Sequence, residues 1–181
     1  MKPIREMSQA EVGAFVQAHL RQRGIEVVLS GGASVAIYSA NAYVSNDVDL
    51  VNVHSASDRE IKAAMGEAGF REKGRYFTHP QSTVLVEFPP GPLAVGTEPV
   101  ASIAEIAVAT GVLRIISPTD CVKDRLASYY HWGDQEALRQ AILVAQAQTI
   151  DLDEVARWSK AEGKLAEFRR IRSSLLSAGQ G

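Results

Sequence analysis

Apolar residues along the chain switch repeatedly between two spacings. Val12, Phe15, Val16 and Leu20 recur at helical spacing, and Gly24 stops the run. Ahead of them, Ser8-Gln9-Ala10-Glu11 has the form of a capping box, with Ser8 as N-cap and Glu11 at N3. Residues 25–29 are largely apolar, with β-branched Ile25, Val27 and Val28, which predicts a short strand. Gly31 and Gly32 then predict a turn, residues 33–40 a helix of small residues, 41–46 a polar loop, and 47–53 a second strand. Ser57-Asp58-Arg59-Glu60 is a second capping box, opening a helix to about residue 68 that ends at Gly69. Residues 70–77 read as a polar, edge-lying strand. Residues 82–88 alternate, with Val84, Val86 and Phe88 on one face and Leu85 and Glu87 on the other. Pro89-Pro90-Gly91-Pro92 breaks that strand. Residues 93–95 predict a short strand, 102–110 a helix stopped by Gly111, and 112–116 a further strand.

The pattern changes at Ser117, a plausible N-cap followed by Pro118 at the first helical position. From there the periodicity is helical over 118–131, 134–148, 152–162 and 164–176, and a frayed tail is expected over 177–181. Two parts are therefore expected, 1–116 and 117–181, packed together without a flexible linker. Clefts at such interfaces commonly hold ligands.

Composition adds exclusions. The 181 residues are 46% hydrophobic and 22% charged, ordinary values for a globular protein, and the net charge of −2 provides no global field for nucleic acid. Cys121 is the single cysteine, which excludes an intramolecular disulfide and a cysteine-based zinc site; a buried thiol on a helix is expected. No apolar run is long enough to span a bilayer, and the N-terminal stretch lacks a signal-peptide core, so a cytoplasmic location is the default expectation.

The candidate chemistry lies between residues 29 and 53. On a strand, positions i and i+2 share a face, so Asp47 and Asp49 project together while Val48 and Leu50 point the other way. Adjacent carboxylates repel, and a hard divalent cation with oxygen ligands removes the conflict. The glycine pair allows close approach of a ligand to the backbone, and a helix start offers free N–H groups to an anion.

Gly31-Gly32, a short helix, and then Ser45-Asn46-Asp47-Val48-Asp49-Leu50 resemble the signature of the nucleotidyltransferase superfamily that includes DNA polymerase β. Val86-Glu87-Phe88 fits the third acidic position of that pattern. The AbiEii-like and minimal bacterial nucleotidyltransferases are the members most similar in arrangement. The resemblance covers about residues 25–140. It implies an α+β fold, a mixed-sheet core with helices on one face, followed by a C-terminal helical subdomain. It also implies transfer of a nucleoside monophosphate from an NTP to a hydroxyl acceptor, with pyrophosphate leaving. Asp47, Asp49 and Glu87 would then be the catalytic and metal-holding residues, for two Mg²⁺ ions with Mn²⁺ able to stand in. Gly31, Gly32, Ser34, Lys123 and Arg125 would contact the nucleotide. The acceptor class stays open among tRNA, protein and small molecules, and relatives in toxin–antitoxin pairs add an antitoxin as a candidate partner. Here residues 33–46 separate the glycines from Asp47, slightly more than the usual spacing, and the third acid is Glu rather than Asp.

Two other readings belong beside this one. A catalytically silent relative would bind a nucleotide or a partner protein without turnover. Arg125 and His131 share the Arg-x5-His spacing of HEPN-type RNases, where such a pair stabilises a cyclising phosphodiester. The cluster His131-Trp132-Gly133-Asp134 otherwise reads as a helix end, with Trp132 packed between the two parts.

Overall fold

The computed structural model describes residues 2–54, 56–100 and 102–176; the expected frayed tail lies outside these residues. The chain divides into two compact units. The first comprises residues 1–33, 45–93 and 103–116; the second comprises 34–44, 94–102 and 117–181.

The first unit is built on a mixed sheet. Its strands are β1 (Val27–Ser30), β2 (Asp47–Asn52), β3 (Arg71–Lys73), β4 (Tyr76–Thr78), β5 (Leu85–Glu87), β8 (Ile103–Val108) and β9 (Gly111–Ile116), in the order β3-β4-β5-β2-β1-β9-β8. The intervening strands β6 (Ala94–Val95) and β7 (Glu98–Pro99) form a separate hairpin in the second unit. β2 runs parallel to β5 and β1 parallel to β9, while β1 and β2 are antiparallel. One face is covered by α1 (Gln9–Arg21) and, beside it, α3 (Asp58–Glu67), which meets α1 where His19 Nε2 lies 2.9 Å from the Ala64 carbonyl. At Gly13, α1 comes so close that an added Cβ would lie 3.0 Å from Leu113 and 3.6 Å from Val48. Leu29, Leu50, Val48, Val86, Leu113 and Ile115 are fully or almost fully buried beneath it. Both capping boxes form as expected, at Ser8/Glu11 and at Ser57/Glu60.

The structure corrects three element expectations. The expected helix over 102–110 is strand β8, which pairs with β9 across the Ala109-Thr110 turn. Its alanines favour a helix locally, but exposure alternates from Ala104 to Val108, and the hairpin satisfies its backbone against β9. The expected strand over 70–77 is the hairpin β3–β4, turning at Gly74 with φ +63°. The glycine pair does not precede a helix: α2 (Gly31–Tyr38) begins with it.

The second unit contains the later part of α2, the β6–β7 hairpin and four helices, α4 (Pro118–Trp132), α5 (Gln135–Ala147), α6 (Leu152–Ala161) and α7 (Leu165–Leu176). Ser117 caps α4, and Gly133 ends it in the left-handed conformation. Asp134 then caps α5, accepting from Glu136 N and Ala137 N. Helices α4 and α6 grip the hairpin. Trp158 Nε1 donates to Val95 O at 3.2 Å, Thr97 donates to Glu162, and Arg157 forks onto Glu98. Trp132 is 78% exposed, which corrects its expected packing: it is the last residue of α4, and the buried positions of that helix end at Tyr130. Cys121 is fully buried, as expected, and burial pushes its thiol up to about 12. No helix among the described residues is long and apolar enough to cross a membrane.

The most buried charge of this unit is Lys123, 1% exposed, whose Nζ sits 2.9 Å from Asp120 and 3.1 Å from Glu154. Hydrogen bonds from Arg157, and then from Lys123, outweigh desolvation and hold the Glu154 carboxyl at about 2. A carboxyl depressed in the folded state contributes stability above its unfolded value and loses it as pH falls towards the folded value. Glu154→Gln is therefore expected to lower stability by about 1–2 kcal/mol at neutral pH. Denaturant melts at pH 7 and pH 3 should show the gap between the two proteins shrinking at the lower pH; a constant gap would remove the electrostatic account.

Candidate active site

The register of three strands places the acidic residues. β2 and β5 pair with Asp47 opposite Leu85, Val48 opposite Val86 and Asp49 opposite Glu87. On its other side, Asp49 pairs with Ser30, the last residue of β1. Paired residues on adjacent strands share a face, so Ser30, Asp49 and Glu87 form a row, with Asp47 two residues along. Val48 faces α1, so the row occupies the opposite side of the sheet. The Phe77–Phe88 ring contact, with centroids 5.4 Å apart, belongs with Val86 on the α1 side.

One carboxylate oxygen from each of Asp47, Asp49 and Glu87 lies within 4.8 Å of the others, and all three residues are half-buried. Arg75, in the β3–β4 turn, brings Nε to 3.6 Å from Glu87 Oε2. A hydrogen bond with Tyr76, then the charge of Glu87, raises the Arg75 guanidinium above its ordinary value. The donor set fits a hard divalent cation: three oxygen ligands of like charge, converging at the end of a sheet.

Gly31 adjoins this group. Its φ is +65°, and a Cβ there would lie 1.9 Å from Asp49 Oδ2 and 2.9 Å from Asp49 Cγ. Both the backbone conformation and the neighbouring carboxylate thus require glycine at this position. Gly32 follows in the first turn of α2.

Asp47 is held by two residues outside the acidic set. Ser45 Oγ donates to Asp47 Oδ1 at 2.8 Å, and Gln9 Nε2 donates to the carbonyl oxygens of Asp47, at 2.7 Å, and of Ser45, at 3.2 Å. Neither was marked by sequence reasoning. The Ser-x-Asp spacing is a local signal for such a bond, whereas Gln9 carries none.

Of the other residues expected at a nucleotide, Ser34, Lys123 and Arg125 belong to the second unit. Ser34 is fully buried, its Oγ 3.2 Å from Cys121 Sγ. Lys123 Nζ is held between Asp120, at 2.9 Å, and Glu154, at 3.1 Å. Arg125 pairs with Asp124 and lies 3.4 Å from Gln140 Oε1. His131 Nε2 is 3.0 Å from Glu162 Oε2. A cleft of about 470 Å³, with Asn52, Ile61, Phe88 and Pro92 in its walls, contains none of the three carboxylates.

No protein-family model and no curated protein matches the chain. Among solved structures, it is similar to an antigenic nucleotidyltransferase-like protein from Paracoccidioides brasiliensis. The two share 17% identity over 97% of this chain and 95% of that one, with a TM-score of 0.66. Structures of the antibiotic-resistance factor ANT(2'')-Ia also align. Its solution structure covers 89% of this chain and 91% of its own at 18% identity and a TM-score of 0.49. Its crystal structure with adenylyl-2''-tobramycin covers 87% and 94% at 17% identity and 0.48. With the Paracoccidioides brasiliensis protein, at 17% identity, the fold is what is shared. The chain has an α+β, nucleotidyltransferase-like fold, with its acidic row and its Gly31-Gly32 helix start on neighbouring strand ends.

Gly31→Ala should destabilise the protein by about 2–4 kcal/mol, combining left-handed strain with the collision at Asp49. Adding Asp49→Ala should recover part of that loss but not all, since the strain remains. Urea melts of both variants check this; full recovery would leave the collision as the sole cause.

Proposed function

We propose that the protein is a nucleotidyltransferase, moving a nucleoside monophosphate from an NTP to a hydroxyl acceptor. The observation that carries this reading is the convergence of Asp47, Asp49 and Glu87 beside the glycine start of α2. Asp47, Asp49 and Glu87 would hold divalent metal, Mg²⁺ by preference for oxygen ligands with phosphate. Bound there, the metal would supply charge neutralisation of the phosphates and acidify the attacking hydroxyl. The acceptor oxygen bonds to the α-phosphorus, the α–β bridging P–O bond breaks, and pyrophosphate carries away the bonding pair. Glu87 serves as ligand or takes the hydroxyl proton on its carboxylate. Gly31 and Gly32 would present backbone N–H groups to phosphate oxygens where α2 begins. This proposal stands on the first unit. The AbiEii-like or minimal bacterial type is its finer form, and an antitoxin partner belongs to that finer form. The acceptor is a tRNA, a protein or a small molecule.

The test is calorimetry with each NTP, with and without Mg²⁺, followed by pyrophosphate release. The wild type should bind one NTP in a metal-dependent manner. Asp47→Asn and Asp49→Asn should each weaken that binding at least about tenfold and abolish release. Nucleotide affinity without release under any acceptor would point to the catalytically silent relative. Absence of NTP binding with or without metal would end the transferase reading.

A further inference from the structure

Asp47 occupies an awkward place in the sheet. It is the first residue of β2, and the β1 ladder does not reach it: β1 ends at Ser30, opposite Asp49, before the chain turns into α2 at Gly31. On the other side, Leu85 N donates to Asn46 O at 3.2 Å. Carbonyls alternate sides along a strand, so the Asp47 carbonyl points away from β5, towards the side where β1 has already ended. A strand end without a neighbour frays, and an aspartate on it would sample several positions. Here the missing neighbour is replaced. The Gln9 carboxamide donates to the Asp47 carbonyl at 2.7 Å and to the Ser45 carbonyl at 3.2 Å. Gln9 is the first residue of α1, whose start is fixed by the Ser8–Glu11 capping box, with Ser8 N to Glu11 Oε2 at 2.6 Å.

The side chain is fixed separately. Ser45 Oγ lies 2.8 Å from Asp47 Oδ1 and accepts from Asp47 N at 3.4 Å, closing a small ring around the residue. This bond uses one lone pair of Oδ1 and leaves Oδ2 uncommitted to Ser45. A donor hydroxyl behind a ligating carboxylate orients it without neutralising it, which is how outer groups tune metal ligands.

We propose that Ser45 and Gln9 are positioning residues for the acidic site: Gln9 stands in for the missing strand and fixes the Asp47 backbone, and Ser45 fixes the carboxylate for metal binding. The inference rests on the nucleotidyltransferase reading of Asp47, Asp49 and Glu87. It makes α1, which lies on the far face of the sheet, a support of the site through its first residue.

The probe is Mn²⁺ alone, and then Mn²⁺ with each NTP, titrated into the full chain and followed by the electron-paramagnetic signal of free ion. The comparison set is wild type, Ser45→Ala, Ser45→Thr, Gln9→Ala and Asp47→Asn, each with its thermal melt. Ser45→Ala and Gln9→Ala should weaken Mn²⁺ binding about tenfold, with the melting transition little changed. Ser45→Thr should restore affinity, because it keeps the hydroxyl. Ser45→Ala added to Asp47→Asn should have no further effect. If Ser45→Ala binds Mn²⁺ as the wild type does while Asp47→Asn does not, the positioning role is wrong and the acidic site stands. Equal weakening by Ser45→Ala and Ser45→Thr would also overturn it, as a packing effect. If the wild type binds no Mn²⁺, or Asp47→Asn binds it equally well, the metal-site reading fails and the positioning role falls with it.

Discussion

Repulsion between like charges is the constraint around which the first unit is arranged. Asp49 and Glu87 are directly opposed on neighbouring strands, about 4.8 Å apart in the ladder direction, with Asp47 on the same face. Such opposition is unfavourable on a sheet. The reverse face offsets it: Leu29, Val48, Leu50, Val86, Leu113 and Ile115 are buried together, and a one-residue slip would exchange them with the carboxylates. The same apolar face that secures the fold therefore fixes the register of the acids. Arg75 approaches this group at Glu87, its Nε 3.6 Å from Oε2, and the charge of Asp47 also acts on it.

The second unit treats charge in the opposite way. Lys123 is enclosed, but Asp120 and Glu154 meet it at hydrogen-bonding distance, and Arg157 links Glu154 to Glu98 on the β6–β7 hairpin. Asp120 is itself tied to Ser117, the cap of α4. A buried pair of this kind is weak evidence for stability but strongly resists loss of one partner. No buried side-chain polar atom among the described residues lacks a hydrogen bond.

What the sequence made legible was local. The caps at Ser8, Ser57 and Ser117, the parity of Asp47 and Asp49, and the burial of Cys121 all follow from neighbours a few residues away. The alternation of 82–88 placed Glu87 opposite Val86 correctly, although only Leu85–Glu87 pairs as strand. What stayed hidden depended on distant partners. Residues 103–108 become a strand because β9 returns beside them, against their alanine content. Gln9 reaches Asp47 across 38 positions of sequence, which no spacing rule reveals. Lys123 could be placed on a helix beside Asp120, but its second acceptor, Glu154, arrives from α6.

The two tryptophans give this architecture a built-in optical label. Both lie in the second unit, so ultraviolet emission excited at the red edge of absorption comes from that unit alone. Trp158 is fully enclosed, stacked on Tyr130 with centroids 5.8 Å apart and with the Lys123 ammonium 5.9 Å from its ring, whereas Trp132 is bathed in solvent. One chromophore emits from an apolar cage beside a fixed cation and the other from water. A soluble quencher such as iodide would silence Trp132 first, and the remaining blue-shifted light would follow the helices around Lys123 as a separate signal from the acidic sheet.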